Sequence, residues 1–351
     1  MITEPEYVKK YQPGAVVPLY FFAVLDKEPL NYGAYNGNVQ QPGVRESKGV
    51  GAGMYFSFAS ENQEVVTAKI GLSYTSVENA RLNLQQEASD LDFDHAKERA
   101  QATWEDYLGR IRVETECRED KVKFYTGLYH ALLGRGLASD VNGAYPRNDG
   151  SVGQLPMKEG TPLYNIYNTD AAWGAQWNLS QLWILAYPEY MSEYISSHLQ
   201  AYKDAGWLAD GLANNRYVSG VGTNLLSTII AGAYECGIRD FDTNIAYEAC
   251  LKNELEGKNR PFGAGKVNTT EFVKYGYVPH QDAGEGYHET FMFSASHTLE
   301  YSYSAWAVAQ WAKQLGDEAH YSQLMDLSKG WERLYDSSCN LFVRKKQMEN
   351  L

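Results

Sequence analysis

The sequence predicts a β region followed by a larger α region, two domains in one chain. Three observations predict it. The first hundred residues hold β-branched and aromatic runs broken by Gly, Asn and Pro clusters; around Ser76 helical spacing and strong helix formers take over; beyond that, long helical segments alternate with polar, glycine-containing loops. A length of 351 residues fits one large or two ordinary domains.

The β runs are "AVVPLYFFAVL" (15–25), "GVGAGMYFSFA" (49–59) and "EVVTAKIGLSY" (64–74), with "NYGAYNGNVQQPG" (31–43) separating the first two. Short strands with no helices between them predict antiparallel sheet packed as part of a sandwich. Two helices follow, "SVENARLNLQQEA" (76–88) and "DFDHAKERAQATWEDYLGRI" (92–111), the second with Asp92 or Asp94 as its N-cap.

Seven more helical segments come next: "DKVKFYTGLYHALLGRG" (120–136), "AAWGAQWNLSQLWILAYP" (171–188), "EYMSEYISSHLQAYKDAG" (189–206), "TNLLSTIIAGAYECGI" (223–238), "DFDTNIAYEACLKNELEG" (240–257), "SASHTLEYSYSAWAVAQWAKQLG" (294–316) and "DEAHYSQLMDLSKGWERLYD" (317–336). Several end on Gly or Pro, and long loops follow the first and the fifth. This pattern predicts helix hairpins, arranged as a superhelix or an α/α toroid. No fixed period marks a repeat array. An odd number of helices leaves a toroid unclosed, with an apolar helix face that invites self-association or a partner.

Composition narrows the function. A net charge of −13 offers no basic field for phosphates, which argues against nucleic acid and anionic membrane surfaces. There is no transmembrane run, and "MITEPEYVKKYQPG" (1–14) lacks the apolar stretch of a signal peptide. Cys117, Cys236, Cys250 and Cys339 lie far apart with no metal-ligand spacing, and read mainly as small buried apolar residues. With 27 Tyr and 8 Trp against 12 Phe, flat apolar faces with polar tips are abundant, which suits hydroxyl-rich ligands and helix interfaces alike.

The stretch "TDAAWGAQWN" (169–178) gathers Asp170, Trp173, Gln176, Trp177 and Asn178 within ten residues. On a helix, Asp170, Trp173 and Trp177 share one face, either a platform for a sugar ring or core packing with a polar cap. "GWLADGLANNRYVSGVGTN" (206–224) is a polar, glycine-rich run between apolar helices, open to a ligand-lining or an ordinary loop reading. Tyr125, Tyr129 and His130 share one side of a helix and read as core, the Tyr hydroxyls bonding nearby loops. Glu78 and Arg81 read as a local surface pair or cap. Glu300, near a helix start, reads as bonding backbone amides rather than as a general acid. His288 and Glu289 in "GYHET" (286–290) offer an acid/base pair on a loop.

Seven segments, in order, resemble glycoside hydrolase family 92, the calcium-dependent exo-acting α-mannosidases: "KIGLSYTSVENARLNLQQEASDLDFD", "KFYTGLYHALL", "YVSGVGTN", "GIRDFDTNIAYEACLKN", "YGYVPH", "SHTLEYSYSAWAVAQWAKQLGDEAHY" and "WERLYDSSCNLFVRKK". The resemblance spans nearly the whole chain. It implies the C-terminal part of a β-sandwich over residues 1–75, a helical linker over 76–115 and the first part of an (α/α)6 toroid over 116–351. It also implies inverting hydrolysis of terminal α-linked sugars, with an acid and a base roughly 6.5–9.5 Å apart, and a calcium ion that binds sugar hydroxyls. Members are commonly exported, so a periplasmic or secreted location is expected for the intact enzyme.

The family's acid, in an E-G-N-x-W-Q-Y motif, and its base and calcium ligands are expected beyond Leu351. No catalytic or metal residue is therefore assigned within the chain, which is expected to be a central fragment inactive alone. "AAWGAQWNLSQL" matches the W-D-x-x-R segment that contacts the terminal mannose: Trp173 is kept, Gly174 stands for Asp and Trp177 for Arg. Thr223 stands where many members carry Asp after Gly222. The expected substrate-binding residues are Asp170, Trp173, Gln176, Trp177, Asn178, Gly222, Thr223 and Asn224, and the lost carboxylates put mannose preference in question. A non-catalytic carbohydrate-binding or scaffold protein is the competing class. A polysaccharide lyase is the third, disfavoured by the charge of −13.

Overall fold

A computed structural model describes residues 18–49, 51–59, 65–88, 90, 92–133, 136–167, 170–213, 216–218, 221–281 and 293–346. Strands come first and helices after, as the sequence predicts. The strands are β1 (Tyr20–Leu25), β2 (Asn31–Asn36), β3 (Val39–Pro42), β4 (Ala52–Ser57) and β5 (Ala68–Ser73). They form two antiparallel sheets, β1–β5 and β3–β2–β4. The separator at 31–43 is therefore itself a hairpin. Its turn is two residues long, Asn36 faces Val39, and Gly37 supplies the positive φ of 57° that such a turn needs.

Helix α1 (Val77–Ala88) lies against the β1–β5 pair. Gly71 permits this approach: a Cβ there would sit 2.0 Å from the Ala80 carbonyl oxygen. Helix α2 (Phe93–Gly109) starts at Asp92, whose carboxylate accepts the His95 amide at 2.9 Å. It has no buried residue, and α3 (Arg118–Leu132) buries only Leu128, so both stay on the outside. Arg81 lies 4.4 Å above the Phe22 ring, a cation–π contact from helix to sheet.

The long connection after α3 carries two hairpins, β6 (Ala144–Pro146) with β7 (Val152–Gln154), and β8 (Met157–Lys158) with β9 (Thr161–Pro162). The segment 171–188, predicted as one helix, is interrupted. Strand β10 (Asp170–Ala171) leads into α4 (Ala172–Gln176), and α5 (Leu179–Ala186) starts afresh after Asn178. Then come α6 (Pro188–Ala205), the hairpin β11 (Gly211–Ala213) with β12 (Arg216–Val218), α7 (Leu225–Glu235), α8 (Thr243–Leu255), α9 (Thr269–Tyr275) and α10 (Ser294–Leu315). The predicted helix at 317–336 is likewise split, into α11 (Glu318–Leu327) and α12 (Gly330–Leu334), before the short pair β13 (Tyr335–Asp336) and β14 (Leu341–Phe342).

The core lies among α5, α6, α7, α8 and α10, where Trp183, Tyr194, Ile195, Ile230, Tyr301, Val308 and Trp311 are fully buried. Helix α7, "LLSTIIAGAYE", is apolar nearly all round, which suits a helix enclosed by neighbours. Small residues on α10 (Ser304, Ala305, Ala309, Ala312) let neighbours approach, and Trp311 stacks on Tyr234 of α7 at 4.4 Å. Gly206, Gly276 and Gly316 end their helices in the left-handed conformation. Helix α9 escapes sequence reading because it is only seven residues long.

Two expectations change here. Only Cys250 is a buried small residue; Cys117, Cys236 and Cys339 are exposed free thiols. Tyr125 is half-buried and its hydroxyl donates to the Ile111 carbonyl at 3.3 Å, but Tyr129 and His130 are exposed, because α3 has little packed over it. Among the described residues, no helix is long and apolar enough to cross a membrane.

Candidate functional site

The two stretches singled out separately in the sequence are neighbours. Strands β10, β11 and β12 form one sheet in that order, pairing Asp170 with Leu212 and Leu212 with Tyr217. The Ala172 amide also donates to the Asp210 carbonyl at 2.9 Å. Residues 170–178 thus lie beside the 206–224 run.

Asp170 sits in a strand, so it does not share a helical face with Trp173 and Trp177. The two indoles still meet edge-to-face, centroids 6.4 Å apart at 84°. Both are turned to the surface, 45% and 54% exposed, which removes the core-packing reading for them. Asn178 is exposed in the break between α4 and α5. Gln176 points the other way and is 4% exposed. Its Nε2 donates to the Tyr303 hydroxyl on α10 at 3.2 Å, while its Oε1 is buried without a partner among the described residues.

The loop after β12 is braced from below. The buried Asp210 carboxylate accepts the Val221 amide at 2.8 Å, the Gly222 amide at 2.9 Å and the Thr223 hydroxyl at 3.3 Å. Gly222 holds φ +73°, a left-handed conformation favouring glycine. Tyr301 reaches the same loop from α10, its hydroxyl 2.7 Å from the carbonyls of both Gly222 and Val267. Burial raises the Tyr301 pKa well above the usual phenol value, so the hydroxyl stays a donor.

Thr223 and Asn224, expected to bind substrate, are both buried, and their side chains bond within the protein. Asn224 Nδ2 donates to Glu254, which also pairs with Lys266; both charged side chains are fully buried. Asn253 donates to Asn224 Oδ1 at 3.2 Å and to the Leu208 carbonyl at 3.0 Å. Burial lowers the Lys266 pKa, opposed by the Glu254 charge. Arg260 donates to the carbonyls of Asn253, Glu256 and Gly265, and its guanidinium lies 4.4 Å from the Trp207 ring. Nothing in the spacing marks Asp210, Glu254 or Lys266 as partners of this loop; only folding joins them.

Helix α10 contacts both candidate stretches, through Tyr303 to Gln176 and through His297 to Val221. His297 lies 3.1 Å from the Val221 carbonyl through Nε2 and stacks on Tyr301 at 5.3 Å. A carbonyl only accepts, so Nε2 carries the hydrogen and Nδ1 keeps a lone pair. Burial lowers the His297 pKa, favouring this neutral form. Glu300 lies past the first turn of α10, whose N-cap is Phe293, so it does not bond the helix-start amides as expected. Its carboxyl is half-buried, burial raises its pKa, and Oε2 is enclosed without a partner among the described residues. His288 and Glu289 lie outside the described residues. Among those described, no group of three or more His, Cys, Asp or Glu side chains fits a metal ion.

These residues belong to a region with known relatives. The Glycosyl hydrolase family 92 catalytic domain matches residues 79–350. An uncharacterized secreted glycosidase of Arthroderma benhamiae is 27% identical over 309 residues, 84% of this chain and 34% of that protein. The family GH92 inverting mannosidase BT2199 from Bacteroides thetaiotaomicron superposes with a TM-score of 0.81 at 24% identity, covering 94% of this chain and 44% of its own. The α-mannosidase BT3965 from the same organism, solved with mannoimidazole, gives 0.79 at 22% identity, over 94% of this chain and 41% of its own. This chain thus spans about a third of the curated relative and under half of each solved structure. The domain match, over most of the chain, carries the conclusion that this protein belongs to glycoside hydrolase family 92.

Proposed function

We propose that the protein contributes to hydrolysis of terminal α-linked sugars, α-mannosides first among them, by an inverting route. In this reading, residues 1–75 are part of a β-sandwich, 76–115 a linker and 116–351 part of an (α/α)6 toroid whose loops surround the sugar. The observation that carries it is the Trp173–Trp177 pair, two solvent-facing indoles beside a loop braced by a buried carboxylate. Apolar sugar faces stack on such rings while a fixed rim fixes hydroxyl orientation. Gly174 and Trp177 at the family's Asp and Arg positions shift the recognition load to Asn178. The acid and the base are not assigned to any described residue.

Titrating the protein with methyl α-mannoside while following tryptophan fluorescence tests this. Saturable change, lost in both Trp173→Ala and Trp177→Ala, is the expected result. With an aryl α-mannoside, any product should appear first as the β-anomer by NMR. Absence of saturation with every neutral α-glycoside tried overturns the reading, and first release of the α-anomer overturns the inverting route.

A further inference from the structure

The helix that carries Trp173 is a weak support for an indole pair. Helix α4 is five residues long, too short to be stable through its own hydrogen bonds. Its middle residue, Gly174, is exposed, and glycine inside a helix favours it less than alanine does. A Cβ at Gly174 would meet open space, and its φ is not left-handed, so neither crowding nor backbone conformation demands glycine there. The angle between Trp173 and Trp177 must therefore be held from outside α4.

The two ends of α4 are held differently. At its start, β10 pairs with β11, and the Ala172 amide donates to the Asp210 carbonyl at 2.9 Å. At its end stands Gln176, buried where the indoles are exposed. The Gln176 Nε2 donates to the Tyr303 hydroxyl of α10 at 3.2 Å, and the Gln176 carbonyl accepts the Gln181 side-chain amide at 3.2 Å across the helix break. Tyr303 is itself oriented by Trp306, whose ring lies nearly parallel to it at 6.5 Å and 12°. Trp177 follows Gln176 directly, so a swing of α4 about its fixed start displaces Trp177 most.

We propose that Gln176 is a positioning residue: by tethering the end of α4 to Tyr303, it fixes the edge-to-face angle of Trp173 and Trp177 before any ligand arrives. Its value for a ligand rests on the sugar-binding reading above, whereas the tether stands on geometry alone. Burial keeps Gln176 from touching a ring seated on the indoles, and the tether gives its side chain a role that burial allows. A platform already formed has less side-chain freedom to lose on binding, and affinity gains by that difference.

Two indoles 6.4 Å apart couple their excited states, which far-ultraviolet circular dichroism reads as a couplet that Trp177→Phe removes. The couplet, the melting temperature and the affinity for methyl α-mannoside are measured on the whole protein. Gln176→Leu and Tyr303→Phe are each expected to reduce the couplet most of the way to the Trp177→Phe level and to weaken binding about tenfold, with little change in melting temperature. The double variant should be no worse than the worse single one, because both remove the same bond. Gly174→Ala should restore couplet and affinity in the Gln176→Leu background by stiffening α4. A couplet unchanged in both single variants overturns the tether, whatever binding does. Loss of the couplet with affinity unchanged overturns its role in binding. A couplet that falls only together with the melting temperature, with no rescue by Gly174→Ala, shows a general brace and overturns the positioning role. If the parent protein binds no neutral α-glycoside, the sugar-binding reading fails, while the couplet still decides the tether.

Discussion

Asn83 gives one amide hydrogen to Asp140 Oδ1 and the other to the Leu72 carbonyl, each at 2.7 Å, while its oxygen accepts the Val141 amide at 3.0 Å. One buried side chain on α1 thereby joins the end of β5 to the connection after α3. Ser73 donates to the same Asp140 carboxylate at 3.0 Å, and Thr75 donates to it as well. Loss of the amide strands a buried carboxylate oxygen, a carbonyl and an N–H. Asn83→Ala is expected to lower unfolding free energy by about 2–3 kcal/mol in urea titration, whereas Glu78→Ala on the exposed side of α1 should change it little.

The braced loop depends on a backbone that only glycine adopts readily. A Cβ at Gly222 would lie 3.0 Å from Val267 Cγ2, in addition to the strain of φ +73°. Gly222→Ala is expected to destabilise by about 1–2 kcal/mol and to weaken sugar binding, because the Asp210 contacts at Val221 and Gly222 shift. Calorimetric melting alongside the fluorescence titration checks both parts.

The Lys266–Glu254 pair is fully buried, and its ammonium also lies 4.8 Å from the Phe272 ring. Removing one partner leaves the other charge enclosed without its ion-pair partner. Lys266→Met alone and Glu254→Gln alone are each expected to cost about 3–5 kcal/mol, and the double variant clearly less than their sum. A double-mutant cycle by denaturant measures the coupling. Additive losses would contradict it.

His297 makes stability depend on pH in a defined direction. Its folded pKa lies below the reference value of 6.5, so the unfolded chain takes up the proton first. Above about pH 6.5 the residue is neutral in both states and contributes no pH dependence. As pH falls below that value, the folded state loses stability until the folded pKa is passed. Urea midpoints at about pH 8 and about pH 5.5 should differ less in His297→Gln than in the parent protein. An equal or larger difference in the variant would remove His297 as the cause.

Much of this was legible along the chain. The order β then α, the cap at Asp92 and the helix ends at Gly206 and Gly316 follow from local chemistry, which is why they could be read. Asn36-Gly37 signals a turn in 31–43, but the short strands there lack an apolar run, so the stretch reads as a separator. The break at Asn178 left no mark, because alternating apolar residues continue across it. Short elements such as α9 have too few residues for a period to show.

The sequence by itself determined the order of the β and α regions and most of the long helices, and that Trp173 and Trp177 lie four residues apart. Those are properties of neighbours in the chain, set by backbone preference and spacing. Only the tertiary structure decided that Asp210 holds the loop at Gly222, that Thr223 and Asn224 are buried, and that α10 contacts both candidate stretches, through Tyr303 and His297. Burial and partner choice arise when distant segments exclude water together, and no local pattern records which of them will meet.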